Sequence, residues 1–412
     1  MPVLLQISAV ANSGSTGRIA EAIGQLSMAR GWTSCIAYGR WARPSASMLI
    51  RVGSRLSVYL HVALTRLLDR HGFGSRRATQ ALVRKIRQLK PDVIHLHSLH
   101  GYYLHVGVLF RYLAAAGIPV VWTLHDCWPI TGRCAHFTYT GCGKWQTGCR
   151  RCPGKRQYPK TLFVSRAKGS YRQKQALFTG VKDMTLVPVS GWLGSVVEQS
   201  FLRRYPVRVV RNGVDTDAFS PQPEEARRRT LKKYGLEGKF LVLGVANPWS
   251  DRKGLRDFFA LHRMLDRSRY RIALVGVSRR QRKGLPEGIA GVEHTESLQE
   301  LAELYSAADV LLNPTWEDTF PSVNLEALAC GTPVITYRTG GSPETISEDT
   351  GMVVAPGDVD GLHRAVQTVQ KKGKERYAKA CRERALALFC KSEPYSAYME
   401  LYEALLAAKR MP

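Results

Sequence analysis

A chain of 412 residues is too long for one ordinary core and suits two domains. Apolar residues make up 44%, the ordinary globular share, which excludes disordered and fibrous classes. The net charge of +27 is lopsided, because residues 1–180 hold 26 Lys and Arg against 4 Asp and Glu, while residues 181–412 hold 34 against 29. A half so basic attracts anions, whether nucleic acid, a phospholipid surface or a phosphorylated substrate.

The chain opens on an apolar run, Val3–Ala9. No basic leader precedes it and Gln6 interrupts it, so it reads as a buried first strand and the protein is expected in the cytosol. A loop of small residues follows, with Gly14 and Gly17, and then a helical stretch to about Arg30. Residues 49–90 interleave ten Lys and Arg with leucines, of which Leu56, Leu60, Leu64 and Leu67 share one helical face. That face suits packing on a sheet or attachment to an anionic leaflet; Ser57, His61, Thr65 and Arg66 interrupt it too often for a membrane span. The runs 92–97, 118–124 and 184–189 lack polar alternation, as strands covered on both faces do.

A second series begins after the turn-rich Asn212-Gly213-Val214-Asp215. Its strands are expected at 240–246, 271–275, 308–312, 333–336 and 352–354, and its helices at 298–307, 323–330 and 361–371. The tail from about Glu375 to Arg410 reads as helical. The expected architecture is therefore α/β, two Rossmann-like doubly wound domains facing a cleft. The expected spans are 1–210, 211–390 and a C-terminal helix, 391–412, packing back across the hinge.

The densest signal is the block WEDTFPSVNLEALACGTPV, residues 316–334. A strand ends before it, a loop carries Asp318 and Phe320, and a helix is expected to start near Ser322 as its N-cap. A helix start at the carboxyl end of a strand directs N–H groups at anions. Glu326, just past the first turn, is an acceptor-only group suited to the paired hydroxyls of a ribose. Arg252 and Lys253, in the loop Asn247–Gly254, offer two cations, and Gly341 and Glu344 lie in a later loop, GGSPE. His125 and Asp126 follow a strand in the first half.

Clustered Cys134, Cys142, Cys149 and Cys152 end in a C-x2-C pair, the spacing of a structural zinc site, with Cys127 left over; free thiols and disulfides are the alternatives. His95, His97 and His100 are expected to face an acceptor rather than a metal. Asp215-x-Asp217 and Asp358-x-Asp360 are too short to count as metal sites, and the second precedes a helix, where Asp is a common cap.

The 316–334 block resembles the E-x7-E signature of retaining GT-B glycosyltransferases of family 4, with Asp318 in the first acidic position, Glu317 its neighbouring rival, and Ala-Cys-Gly-Thr-Pro-Val after Glu326. The resemblance implies a nucleotide-sugar donor held by Gly14, Gly17, Arg252, Lys253, Phe320, Ser322, Glu326, Gly341 and Glu344, with His125, Asp126 and Asp318 at the reacting sugar. It implies no catalytic metal. The stretch His125–Pro153 resembles an insert in a subgroup that builds bacterial exopolysaccharides such as colanic acid, which implies an acceptor glycan on a polyprenyl diphosphate. With the basic first half, this places the protein on the inner face of the cytoplasmic membrane, bound to its anionic surface. A nucleotide-sugar epimerase and a nucleic-acid-binding protein are the competing readings; the second has charge alone in its favour, so no nucleic-acid partner is expected.

Overall fold

The computed structural model describes residues 1–410, which form two units: Met1–Arg211 together with the chain from Tyr395 on, and Asn212–Pro394. Each is a six-stranded, all-parallel sheet.

The first sheet comprises β1 (Val3–Ser8), β2 (Thr33–Tyr38), β3 (Met48–Arg51), β4 (Val93–Leu96), β5 (Val120–Leu124) and β6 (Met184–Pro188), in the order β3-β2-β1-β4-β5-β6. β4, β5 and β6 are buried at every residue, because helices cover both faces of a parallel sheet. The order reverses between β1 and β4, so the loops after β1, β4 and β5 all open from one sheet edge at the switch point. Helix α1 (Gly14–Ala29) packs Ile19 and Ile23 into a core with Leu4, Val93, Tyr398, Met399 and Tyr402. The end of the chain thus completes the first unit.

The second sheet comprises β7 (Phe240–Val245), β8 (Tyr270–Val275), β9 (Ile289–Val292), β10 (Val310–Asn313), β11 (Val334–Tyr337) and β12 (Gly351–Val354), in the order β12-β11-β10-β7-β8-β9. Its switch point lies between β10 and β7. β2, β3 and β9 are strands beyond those expected; β3 and β9 are short edges and β2 lies next to one, where apolar runs weaken. The expected helical tail is two helices, Glu375–Phe389 and Ser392–Arg410. Cys390 interrupts them by pairing in a parallel bridge with Val214.

Among the described residues no helix is long and apolar enough to cross a membrane.

Candidate active site

At the second unit's switch point the loops after β7 and β10 are tied together. The Trp316 N–H donates to the Arg252 carbonyl at 2.9 Å. Arg252 Nε lies 3.3 Å from Glu317 Oε1, and Lys253 Nζ donates to Asp318 Oδ2 at 2.6 Å. Two cations and two acids thus alternate where anions bind in open α/β sheets. Glu317 is buried beneath Arg252, whereas Lys253 and Asp318 keep 24% and 19% of their side chains exposed, so a solute reaches the second pair.

The loop's shape depends on two glycines. Gly254 has φ +80°, and a Cβ there would sit 2.3 Å from the Pro314 carbonyl oxygen. Gly340 has φ +53°, and a Cβ there would sit 1.7 Å from the Asp318 carbonyl oxygen, to which the Gly341 N–H donates at 3.3 Å. Glu344, half-buried, stands on the short helical turn Ser342–Thr345, whose last two carbonyls accept from Arg384.

Three expectations change in detail. Pro321, not Ser322, holds the capping position of the helix Ser322–Ala329, so Ser322 is its first helical residue. The fixed φ of proline leads the chain into the helix without a side-chain cap. Phe320 is buried against Phe389, ring centroids 5.9 Å apart, and only its backbone reaches the site, through an N–H to Asp318 Oδ1 at 3.2 Å. Glu326 is 8% exposed and accepts a hydrogen bond from the buried Tyr305 hydroxyl at 2.8 Å, a partner that no motif announced. Asp257 was likewise missed; it takes both the Trp316 indole N–H and the Tyr337 hydroxyl at 2.9 Å and fixes the start of the acidic loop. The Oγ atoms of Ser250 and Ser342 are buried without a hydrogen-bond partner among the described residues.

In the first unit, His125 and Asp126 stand at the end of β5, on the edge that also carries the start of α1, whose first turn, not the loop before it, holds Gly14 and Gly17. Gly14 has φ +62°, and the buried Gly17 packs within 3.0 Å of Val10 for any added Cβ. His125 Nε2 lies 3.1 Å from His97 Nδ1, and His97 Nε2 lies 3.0 Å from the Gln6 side-chain oxygen. Burial pushes the His125 imidazole down to about 4, so it is neutral at pH 7. Burial also pushes the Asp126 carboxyl up, but the neighbouring His100 outweighs it and holds the group at about 2. The contact is His100 Nε2 to Asp126 Oδ2 at 2.5 Å, and His100 Nδ1 continues to the Tyr158 hydroxyl at 2.9 Å.

His95 therefore does not face an acceptor. It is fully buried between the Thr123 hydroxyl at 2.7 Å and the Tyr402 hydroxyl at 2.6 Å, because alternate strand residues share a face and this one is covered. His97 is buried too and acts on His125.

The cysteines Cys134, Cys142, Cys149 and Cys152 line one cavity of about 20 Å³. The Gly132 N–H donates to Cys149 Sγ at 3.1 Å. Among the described residues no three His, Cys, Asp or Glu side chains are gathered tightly enough to form a ligand set, so these sulfurs share a cavity without meeting at one point. Of the two D-x-D pairs, Asp215 accepts from the Asp217 and Ala218 N–H groups and from Lys391, and Asp358 caps the helix Val359–Lys372.

The family model for glycosyl transferases group 1 matches residues 239–372, and that for glycosyltransferase family 4 matches residues 20–218, so the two take in most of both units. The chain belongs to the glycosyltransferases. Among its relatives is WcaC of Escherichia coli (strain K12), named as a colanic acid biosynthesis glycosyl transferase, 26% identical over 86% of this chain and 88% of that protein. The sulfoquinovosyl transferase SQD2 of Arabidopsis thaliana is 27% identical over 77% of this chain and 59% of that protein. Among solved structures, the glycosyltransferase shares its fold with sucrose-phosphate synthase of Thermosynechococcus elongatus, at TM-score 0.72 and 19% identity over 99% of this chain and 100% of that one. HepE of Anabaena in complex with UDP-glucose superposes at TM-score 0.67 and 14% identity, over 98% of this chain and 99% of that one. Two all-parallel sheets of this order with such neighbours are the GT-B fold.

Proposed function

We propose that this glycosyltransferase moves a sugar from a nucleoside diphosphate to a polyprenyl-diphosphate-linked glycan at an anionic membrane surface, in the building of a bacterial exopolysaccharide or lipopolysaccharide, with retention at the anomeric carbon. The observation that carries the donor half is the switch-point cluster, Arg252–Glu317 and Lys253–Asp318. As the bond from the anomeric carbon to the diphosphate oxygen breaks, negative charge gathers on the diphosphate, the acceptor hydroxyl oxygen bonds that carbon, and the hydroxyl proton passes to the departing diphosphate oxygen. Arg252 and Lys253 are half-buried beside that place and take the charge, aided by the N–H groups at the start of the helix Ser322–Ala329. Glu326 accepts from the ribose and Asp318 from a sugar hydroxyl, with Gly341 and Glu344 on the adjoining loop. In the first unit, neutral His125 serves as a hydrogen-bond partner at the sugar, held in place by His97, while Asp126 and the first turn of α1, with Gly14 and Gly17, lie at the same sheet edge. HepE, described with UDP-glucose, supports the donor class, and WcaC, named for colanic acid biosynthesis, supports a place in exopolysaccharide synthesis.

We propose that the four cysteines hold a structural zinc ion, which requires their side chains to turn from the positions described above, where the sulfurs do not meet at one point. Their common cavity supports this, as do the left-handed φ values of Cys149 and Arg151, which turn the C-x2-C pair back on itself.

The test is a thermal-shift panel of UDP-, GDP- and ADP-sugars, followed by transfer to a lipid-linked acceptor. A shift with one donor class and turnover with the acceptor is expected; no shift with any donor would sink the donor site.

A further inference from the structure

Helix α2 (Arg55–Leu68) is built inside out. A helix packed on a sheet ordinarily buries its apolar stripe. Here the buried side chains are His61 and Thr65, while Leu56, Tyr59, Leu60 and Leu67 are 66%, 69%, 61% and 47% exposed. Polar contacts lock this orientation. His61 Nε2 accepts the N–H groups of Gly72 and Gly74, both at 3.2 Å, Nδ1 lies 3.0 Å from Ser75 Oγ, and the Thr65 hydroxyl donates to the His61 carbonyl at 2.9 Å. The helix cannot roll its leucines inward without breaking that set.

A second segment extends the apolar face. The Leu162 N–H donates to the Arg66 carbonyl at 2.8 Å, and the Arg166 N–H donates to Asp69 Oδ2 at 2.7 Å, which lays residues 162–166 along the end of α2. Leu162 and Phe163 are 51% and 70% exposed there.

The charge around this face has one sign. Between Glu21 and Asp92 the sequence holds a single acid, Asp69, and that one is buried against Arg133 at 3.0 Å. No acid occurs from 127 to 182. Arg51, Arg55, Lys160 and Arg166 are all exposed. Apolar prongs ringed by cations match a leaflet that offers acyl chains under anionic headgroups. A second copy of this chain would set like charges against each other.

We propose that the outer face of α2 and residues 162–164 form one docking surface that inserts into an anionic bilayer. The proposal rests on the membrane reading above, yet its measurement needs neither donor nor acceptor. The full chain is sedimented with phosphatidylcholine vesicles and with phosphatidylglycerol-rich vesicles, at low and high salt. Binding to the phosphatidylglycerol-rich vesicles, weakened by salt, is expected. The triple variant Tyr59→Ser/Leu60→Ser/Phe163→Ser should bind at least about tenfold more weakly. The charge variant Arg55→Gln/Lys160→Gln should lose the preference for phosphatidylglycerol. Leu388→Ser, an exposed apolar change in the second unit, should bind like the parent. Equal binding to both lipids, no binding by the parent, or a triple variant that binds normally would each overturn the proposal. So would a dimer in analytical ultracentrifugation that the triple variant disperses. An intact donor-induced thermal shift in a triple variant that fails to bind separates this surface from the donor site.

Discussion

Replacing Lys253 by Gln separates a charge that works in transfer from one that merely holds a loop. The Lys253–Asp318 pair is 2.6 Å long but only partly buried, at 24% and 19% exposure. Such pairs are worth about 0–1 kcal/mol of stability, because water screens them. For a unit of this size that is a fall in melting temperature of at most roughly 2–4 °C. Transition-state charge on a departing diphosphate is a different matter. Loss of one preorganised donor to a developing anion costs about 2.7–4 kcal/mol, or roughly 100- to 1,000-fold in kcat. The assay is initial-rate transfer at saturating donor and acceptor, run beside a thermal melt of the same preparation. Lys253→Gln should melt within a few degrees of the parent and lose about two to three decades of kcat. The double variant Lys253→Gln/Asp318→Asn should stay slow, since neutralising the acid does not restore the cation. A kcat within about threefold of the parent would refute the reasoning, as would recovery of rate in the double variant.

Glu326→Ala should cut transfer by at least about tenfold, measured as kcat/KM for the donor, since a carboxylate facing a ribose diol loses charge-assisted hydrogen bonds; undiminished transfer would show the ribose contact is misplaced. Tyr305→Phe removes the hydroxyl that donates to Glu326 at 2.8 Å and should cost about 1–3 kcal/mol in denaturant unfolding, with the donor KM raised. Protein purified without chelator should carry one zinc per chain by native mass spectrometry, and Cys149→Ser/Cys152→Ser none; a metal-free parent would end the zinc reading. Burial holds His61 and His125 near 4, and His71, His95 and His97 well below their usual value, so these groups fold neutral and their protonation favours the unfolded chain. Stability should therefore be full above about pH 6.5 and fall steadily toward about pH 4, read as urea midpoints across that range, with His95→Gln flattening the slope.

Much of the second unit was legible because its chemistry is local. The cations, the acidic loop and Glu326 lie at the ends of β7 and β10, and strand ends at a switch point meet by topology alone. What the sequence hid were partners far away along the chain. Tyr305 reaches Glu326 from a different helix, and Asp257 reaches Trp316 across 59 positions. The histidines misled for a related reason. A period of two places His95 and His97 on one strand face, but only the packing of Tyr398 and Tyr402, some 300 residues later, decides that this face is covered.

The α2 stripe shows the same limit from the other side. Periodicity reports that Leu56, Leu60, Leu64 and Leu67 share a face; it cannot report which way the face looks. The orientation is fixed by His61, whose ring needs the backbone N–H groups of Gly72 and Gly74, and by the glycine at 74, where a Cβ would lie 2.5 Å from that ring. A buried imidazole with three hydrogen-bond partners outranks four leucines here, because leaving such a group unsatisfied costs about as much as burying a leucine or two returns. Leu56, Leu60 and Leu67 are then free to meet something other than the sheet, while Leu64 stays half-buried, and the absence of acids in the surrounding sequence favours the anionic bilayer proposed above.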